Sequence, residues 1–499
     1  MSYARRVAYN TIIQIIGRLF TTVVSLMTVS ILNGQLGDVR WGSYVASTTY
    51  LGFFAVLADL GVNTLYLREI SRFPERADEI TAQFFGFRLF TAIVVLGLAP
   101  LTALVIPTYH PLIIPILIAS VGQLFLVMNQ IFVSVVQAKL LMDRAMITDI
   151  LGRTVILLGT FLFVRHVPLS MRLPVALWAL AIGNGVNAFG MYLFVRPLVH
   201  IKFRFNIKEW PYLFKTTLPM GALTVLGLIH FKADSVILTF IKPVVDVGIY
   251  GNAYKIIEIM ITLPSMFVGG LFPAMSQALH KKEANFEQFM QKAFDALVFV
   301  TLPLVGAVFI FSPLIIAVLT RDNITQSADS LKILSLAMFP LYMGTLFGNM
   351  LLAANKQLQL SMYELVAAVA NIGLNLWLIP RFSYYGAATT TLITEVLVLC
   401  LTIRLSYRVV GRIPRLNQIW ASLGLGLPVI VVMGLVFSYV PFFTPQHFDH
   451  LPRIIQAGSV LGTGIIYCLI YAVPFFLTRQ FPSVLQDRIH RVRSIIGMA

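Results

Sequence analysis

The sequence predicts an all-α polytopic membrane protein of about fourteen transmembrane helices: two related six-helix lobes followed by two further helices. Composition is the first observation, because 58% of the 499 residues are apolar and only 12% are charged. Mean hydropathy is +0.84, whereas ordinary soluble domains carry about 25% charged residues. Two further observations are that long apolar runs recur along the whole chain and that Lys and Arg are distributed unevenly between the loops.

The apolar runs define the predicted helices, since a hydrocarbon core of about 30 Å needs about 20 mostly apolar residues per crossing. Six runs fill the first half, at 8–32, 42–65, 83–106, 111–136, 146–165 and 174–196. Six more fill the second half, at 215–241, 249–275, 291–319, 329–352, 360–380 and 384–407, and the last two are 417–439 and 453–477. The first run is expected to be an uncleaved helix, because it is long and lacks a small-residue cleavage site.

The basic residues indicate orientation. The net charge is +16, and the loops on the side of the N-terminus carry roughly three times as many Lys and Arg as the opposite loops. This bias predicts that both termini are cytoplasmic and explains the charge without nucleic-acid binding. The tail 479–499 has apolar residues at helical spacing among its arginines, which suits an amphipathic helix on anionic lipid, with a solvated tail as the alternative.

An internal repeat predicts the domain organisation. Gly42-Ser43-Tyr44 recurs as Gly248-Ile249-Tyr250, and the same offset carries the first three runs close to the seventh, eighth and ninth. Because each half has an even number of helices, the halves share one orientation, as in transporters whose two lobes rock around a central site. The predicted domains are the lobes 1–200 and 201–410, two extra helices in 411–478, and the basic tail 479–499.

Polar residues inside the runs are candidate functional residues, because burying them in hydrocarbon costs several kcal/mol unless they face water or a partner. The first run carries a polar stripe at helical spacing: Asn10, Gln14, Arg18, Thr21, Ser25 and Thr28. Arg18 is about 15 Å from the start of that run, so it is expected near the midplane. We therefore interpret Arg18 and Gln14 as lining a substrate cavity.

Further charges complete the predicted cavity. Arg88 and Arg153 enter from the cytoplasmic ends of the third and fifth helices, with snorkelling of Arg88 to the headgroups and pairing of Arg153 with Asp149 as the structural alternatives. The seventh and eighth helices carry two opposite-charge pairs, either static salt bridges or pairs that exchange partners during transport: Lys232 with Asp234, and Lys255 with Glu258.

Glu395 lies near the middle of the twelfth helix with no basic residue three or four positions away. It is expected to be protonated, paired across helices, or a site for a coupling ion such as H+ or Na+. No other cofactor is expected, since the sequence shows neither a phosphate-cradling glycine loop nor zinc-ligand spacing. The two cysteines, Cys400 and Cys468, fall within predicted spans and predict no disulfide framework.

Short motifs resemble a known family. The run Leu36-Gly37 through Gly42-Ser43-Tyr44, then Asp59-Leu60-Gly61 and Arg68-Glu69-Ile70, resembles the start of polysaccharide and O-antigen flippases, and Asp234 with Gly248-Ile249-Tyr250 and Ala253-Tyr254-Lys255-Ile256 resembles their second half. These flippases belong to the multidrug, oligosaccharidyl-lipid and polysaccharide exporter superfamily.

The resemblance implies a function and partners. It implies a flippase of the inner membrane that moves a polyprenyl-pyrophosphate-linked oligosaccharide, with membrane lipids and polysaccharide assembly proteins as further partners. Its cationic cavity would include Arg18, Arg88, Arg153, Lys232 and Lys255. The carboxylates of Asp59, Asp234, Glu258 and Glu395 are then the candidates for coupling or gating.

Three alternatives remain at this point. A cation-coupled multidrug exporter would have the same fold but an acidic rather than a basic cavity. A membrane polysaccharide polymerase or ligase would need a large outer loop, which the sequence does not show. A scaffold without transport gains nothing from charges buried near the midplane.

Overall fold

An interruption at Gly37 separates the first two apolar runs. In the computed structural model, helix α1 extends from Tyr3 to Asp59, but Gly37 within it has φ 70° and ψ 170°, outside helical geometry. Glycine has no Cβ and adopts this conformation without steric cost. A second interruption lies at Ser383, with φ 50° and ψ −128°, between the runs predicted at 360–380 and 384–407.

The structure describes residues 3–59, 61–139, 141–199, 210–280, 286–412, 414–439 and 453–478. Its α-helices are α1 (Tyr3–Asp59), α2 (Val62–Arg72), α3 (Ala77–Val105), α4 (Ile113–Ala138), α5 (Met142–Phe163), α6 (Arg172–Val195), α7 (Trp210–Ile241), α8 (Val244–Met260), α9 (Thr262–His280), α10 (Phe286–Leu319), α11 (Ile324–Ala353), α12 (Gln357–Val410), α13 (Asn417–Tyr439) and α14 (Arg453–Thr478).

The predicted fold class is confirmed. Within the described part of the chain, 11 stretches are long and apolar enough to cross a membrane. The two longest, Ile16–Asp59 and Gln357–Val410, have 44 and 54 residues, so each can supply two crossings around its interruption. The protein is therefore a multi-pass, all-α membrane protein, and the count of fourteen helices stays a prediction.

Packing divides the chain into two compact units, Met1–Gly248 and Ile249–Ala499. The predicted lobes stay a prediction, because they are defined by a sequence repeat and the units by packing. In the N-terminal unit, α1 packs on α3, α4, α5 and α7, and both α4 and α5 pack on α6. Small residues allow these helices to approach closely: a Cβ on Gly183 of α6 would lie 2.6 Å from the carbonyl oxygen of Gly152 in α5.

A buried cluster connects α2 with α3, α4 and α6 in the N-terminal unit. It includes Tyr66, Phe84, Phe132 and Met191. The Tyr66 hydroxyl is 2.8 Å from the Thr81 hydroxyl, and burial raises the pKa of Tyr66, so the phenol stays neutral. This cluster holds α2 next to the polar residues at the end of α1 that are described below.

In the C-terminal unit, α10 packs on α11 and α11 on α12, while α13 and α14 pack on α10 and on each other. Tyr467 of α14 is edge-on to Phe311 of α10, with ring centroids 5.8 Å apart. The two helices that the sequence places outside the repeat are thus attached through α10. The tail 479–499, predicted to be amphipathic, lies outside the described residues.

Candidate functional site

Arg153 of α5 connects that helix to α1. Its Nε is 3.4 Å from Asp149 Oδ1, one turn earlier on α5, and its Nη1 donates a hydrogen bond to Ser25 Oγ at 3.0 Å. The Arg153 side chain is 42% exposed, so the pairing leaves part of the guanidinium accessible.

Arg18 lies on α1 near this contact. Its side chain is exposed, and among the described residues no carboxylate pairs with it. The preceding residue, Gly17, is buried where α1 meets Met146 of α5. Ser25 follows Arg18 by seven residues, so the two share one helix face about 10 Å apart. We call Arg18, Ser25 and Arg153 the α1–α5 cationic face.

The polar stripe of the first helix divides into two parts. Thr21 and Thr28 are buried, at 3% and 7% exposure, and their hydroxyls donate to carbonyl oxygens of α1 itself. Gln14 is half-buried, and the side chain of Asn10 lies outside the described residues. The stripe therefore lies along the border between the packed and the accessible sides of α1. Thr21 and Thr28 are on the packed side, Ser25 is half-buried and Arg18 is exposed.

The depth of these residues can be compared along α1. Counted from the interruption at Gly37, Ser25 lies about 18 Å and Arg18 about 28 Å along the helix axis. A hydrocarbon core of about 30 Å that begins near Gly37 would have Ser25 near its middle and Arg18 near its cytoplasmic edge, so the midplane position of Arg18 stays a prediction. Arg153, which contacts Ser25, is then the deeper of the two cations.

Arg88 is in a different environment from the one that the sequence predicts. Its side chain is fully buried and its Nη1 is 2.7 Å from Asp59 Oδ1. Nη1 also donates to the carbonyl oxygen of Ala58 at 2.9 Å, and Nη2 donates to Gln130 Oε1 at 2.7 Å. Asn63 donates to the same Gln130 oxygen at 2.7 Å. Arg88 therefore joins α1, α3 and α4, and it presents no open surface to a cavity in this structure.

Lys232 and Asp234 lie on α7 in the N-terminal unit. Lys232 is half-buried, whereas Asp234 is 1% exposed and nearby His230 is 6% exposed. Helix α7 packs on α1, which brings a second set of ionisable side chains to the same unit as the cationic face.

The remaining candidates belong to the C-terminal unit. Lys255 Nζ is 3.0 Å from Glu258 Oε2, in a pair that is 37% and 30% exposed. Glu395 on α12 is 4% exposed, one turn after Thr391, whose hydroxyl is 3.4 Å from that of Tyr250 in α8. These residues thus form a partly exposed pair on α8 and a buried carboxylate on α12.

Sequence reasoning missed Gln130, which accepts a hydrogen bond from Arg88, and Asn63, which donates to the same Gln130 oxygen. Both are uncharged residues from other helices, and nothing in their local spacing links them to Arg88. The polar stripe marks Ser25 as a candidate, but the sequence does not show that Arg153 is its hydrogen-bond partner. Within the described residues no group of three or more His, Cys, Asp or Glu side chains is arranged to hold a metal ion.

The chain is similar to known proteins in sequence and in fold. A family model described as "Polysaccharide biosynthesis protein" matches residues 7–279. No curated protein sequence matches. A solved structure of the lipid II flippase MurJ, in an inward closed conformation, superposes with a TM-score of 0.74 at 15% identity, covering 93% of this chain and 98% of that one.

Two further structures share the fold. An inward-facing multidrug resistance MATE family transporter of the MOP superfamily superposes with a TM-score of 0.66 at 14% identity, covering 80% of this chain and 98% of its own. A MOP superfamily transporter from Pyrococcus furiosus, described as having a binding pocket of reverse polarity, gives 0.58 at 15% identity, with coverage of 81% and 96%. The chain thus shares the fold of these transporters.

Proposed function

The chain belongs to the polysaccharide biosynthesis protein family, and from this premise we propose that it is a flippase for a polyprenyl-pyrophosphate-linked oligosaccharide. It would carry this substrate from the cytoplasmic to the outer leaflet of the cytoplasmic membrane, for cell-surface polysaccharide biosynthesis. The transporter fold supports movement across a bilayer. The substrate class rests on the family and on the cations of the N-terminal unit.

The α1–α5 cationic face is the observation that carries the proposal. Arg18 lies about 10 Å along α1 from Ser25, the residue that Arg153 of the neighbouring helix α5 contacts. A guanidinium holds two oxygens of a phosphate in one plane, which makes arginine well suited to a pyrophosphate group. Two cations also favour an anion over the organic cations that a multidrug exporter would bind.

The Arg153 contacts indicate how the anion would be received. Asp149 holds Arg153 at 3.4 Å, a longer distance than a strong charge-assisted hydrogen bond of about 2.8 Å. A phosphate oxygen that approaches Arg153 replaces a weak contact rather than a strong one. Arg153 would therefore exchange partners when substrate arrives, with Ser25 keeping the side chain directed at α1.

Alternating access supplies the transport step in this proposal. The buried carboxylates Asp234 and Glu395 are candidates for binding a coupling H+ or Na+, because ionisable residues within membrane-spanning helices commonly mark ion pathways. A gradient of that ion would then drive the conformational cycle. Both termini are proposed to be cytoplasmic, as the distribution of basic loop residues predicts.

The test is flipping of a fluorescent polyprenyl-pyrophosphate oligosaccharide in proteoliposomes that contain the intact protein, Arg18→Ala or Arg153→Ala. The matched control is Arg165→Ala, an exposed arginine in the same unit, just beyond the far end of α5. Loss of flipping in the first two variants, with normal flipping in the control and unchanged melting of all three, supports the proposal.

A contrary outcome is equally well defined. If the intact protein moves no lipid-linked oligosaccharide but expels organic cations from the same vesicles in an ion gradient, the proposed substrate is wrong. The multidrug exporter, whose fold this chain shares, would then take its place.

A further inference from the structure

The C-terminal unit contains a cavity of about 600 Å³ at the first turns of α10, between α10, α11, the end of α12 and the loop that leads to α13. It is separate from every residue that the proposed function uses. Three basic residues line it, Lys292, Arg412 and Arg415, against one acidic residue, Glu287. The charge of the lining therefore favours an anion.

The positions of the two arginines are held by contacts outside their own loop. Gln291 of α10 accepts a hydrogen bond from the Arg415 backbone N–H at 2.6 Å and donates one to the Arg415 carbonyl oxygen at 3.0 Å. Arg412 Nη1 is 2.8 Å from Glu287 Oε2. Because the Gln291 contacts already hold the loop at Arg415, an anion that binds here does not have to order this part of the loop.

The inner wall of the cavity differs from its rim. Met290, Phe347 and Met350 line it with apolar surface, each 4% exposed or less. Ser406 also lines it and is 2% exposed, and its Oγ has no hydrogen-bond partner among the described residues. A buried hydroxyl without a hydrogen-bond partner is unfavourable, and a ligand oxygen that bonds to Ser406 would relieve this.

We propose that this cavity binds a phosphate group, with the phosphate at the rim formed by Lys292, Arg412 and Arg415 and an apolar portion of the same ligand against Met290, Phe347 and Met350. An anionic phospholipid combines these two chemistries in one molecule. In the predicted orientation the loop after α12 is cytoplasmic, at the level where inner-leaflet headgroups lie.

Glu287 gives the site a built-in competitor. Its carboxylate occupies Arg412, which is 75% exposed and therefore able to turn toward a ligand. A bound phosphate competes with Glu287 for the Arg412 guanidinium. Removing the carboxylate should thus strengthen phosphate binding, whereas removing a rim arginine should weaken it.

The test measures binding to the full-length purified protein in neutral detergent, by native mass spectrometry and by ligand-induced thermal stabilisation. The probes are phosphatidylglycerol, phosphatidylcholine and inorganic phosphate, and the variants are Arg415→Ala and Glu287→Gln. Arg415→Ala is chosen because the loop is held through the backbone of Arg415, so the fold does not depend on its guanidinium. Arg321→Ala, at an exposed arginine of the same unit, is the matched control.

We expect phosphatidylglycerol to bind about fivefold more weakly to Arg415→Ala, more tightly to Glu287→Gln, and equally to Arg321→Ala. If inorganic phosphate instead of lipid binds more weakly to Arg415→Ala and more tightly to Glu287→Gln, the phosphate site is supported and its ligand is a soluble phosphate. General destabilisation cannot produce changes in opposite directions. Equal binding of every probe to all variants would overturn the proposal, whatever the transported substrate is.

Discussion

Arg88 and Asp59 form an ion pair of 2.7 Å in which the arginine side chain has no exposed surface. The pair joins α3 to the end of α1, two residues before Gly61, which has φ 78° at the start of α2. Gln130 and the carbonyl oxygen of Ala58 occupy further Arg88 donors. Arg88 thus connects helices and is not accessible to a substrate. The proposed substrate contacts therefore rest on the α1–α5 cationic face, whose arginines are accessible.

Removing Arg88 should destabilise the N-terminal unit strongly. Arg88→Ala leaves the largely buried Asp59 carboxylate without its cationic partner, at a cost of about 3 kcal/mol, while Gln130 keeps only its contact with Asn63. We expect a marked fall in the melting temperature in detergent, and partial recovery in the double variant Arg88→Met/Asp59→Asn, which removes both charges. Arg76→Ala breaks only an exposed pair with Glu79 and should melt like the intact protein. Equal melting of Arg88→Ala and the intact protein would contradict this role.

Arg153→Lys should impair transport although the charge is kept. A lysine offers a point charge and cannot direct two donors in one plane at Ser25 and a phosphate together. The flipping rate in proteoliposomes should fall about tenfold, as expected for one lost charge-assisted hydrogen bond.

Asp149→Asn is the companion variant for Arg153. It releases Arg153 from its weak pairing and should leave flipping unchanged or faster. A full rate in Arg153→Lys, or a loss in Asp149→Asn equal to that of Arg153→Ala, would argue against recognition of substrate by the guanidinium.

Glu395→Gln should separate transport from its driving ion. The Glu395 carboxylate can bind a proton or a cation, whereas the uncharged amide of glutamine cannot replace it in either role. We expect gradient-driven accumulation of substrate to stop while exchange down the substrate gradient continues, measured with imposed H+ and Na+ gradients. Glu364→Gln, at a half-exposed glutamate of the same helix, is the control. Normal gradient-driven transport by Glu395→Gln would exclude Glu395 as the coupling site.

Gly183→Ala should weaken the contact between α5 and α6. The new methyl group would lie 2.6 Å from the Gly152 carbonyl oxygen and against the Ile156 side chain, which forces the helices apart at about 1–3 kcal/mol. Gly97→Ala on α3 has nothing within 4 Å and should be neutral or stabilising, because alanine favours helix. Thermal melting of the two variants in one detergent makes the comparison, and equal melting would show that α5 and α6 tolerate separation.

Much of the fold could be predicted because membrane helices are encoded locally. The run predicted at 417–439 coincides with α13, and the run at 453–477 differs from α14 by one residue. The runs that end at 32 and begin at 42 enclose the interruption at Gly37. The run predicted at 249–275 agrees less well with the structure, which has two helices there, α8 and α9, with a break at Ile261.

The candidate site could be predicted only in part. Charge and helical spacing single out Arg18, Arg153 and the Asp149 pairing from the sequence alone. The same reasoning treats Arg88 and Arg153 alike, as cations near the inner ends of two helices. Their environments differ because Arg88 meets Asp59, Ala58 and Gln130 from other helices, whereas Arg153 meets Ser25 and stays 42% exposed.

By itself the sequence determined that this protein is a polytopic α-helical membrane protein, which family it resembles, and which charged residues must be accommodated within its helices. These properties follow from the bilayer: backbone groups in hydrocarbon must bond within their own helix, so each spanning segment is readable from its own residues. The tertiary structure alone decided which cations are neutralised and which remain accessible. That outcome depends on side chains distant in sequence and brought together by helix packing, as Arg88 shows with Gln130 and Arg153 with Ser25.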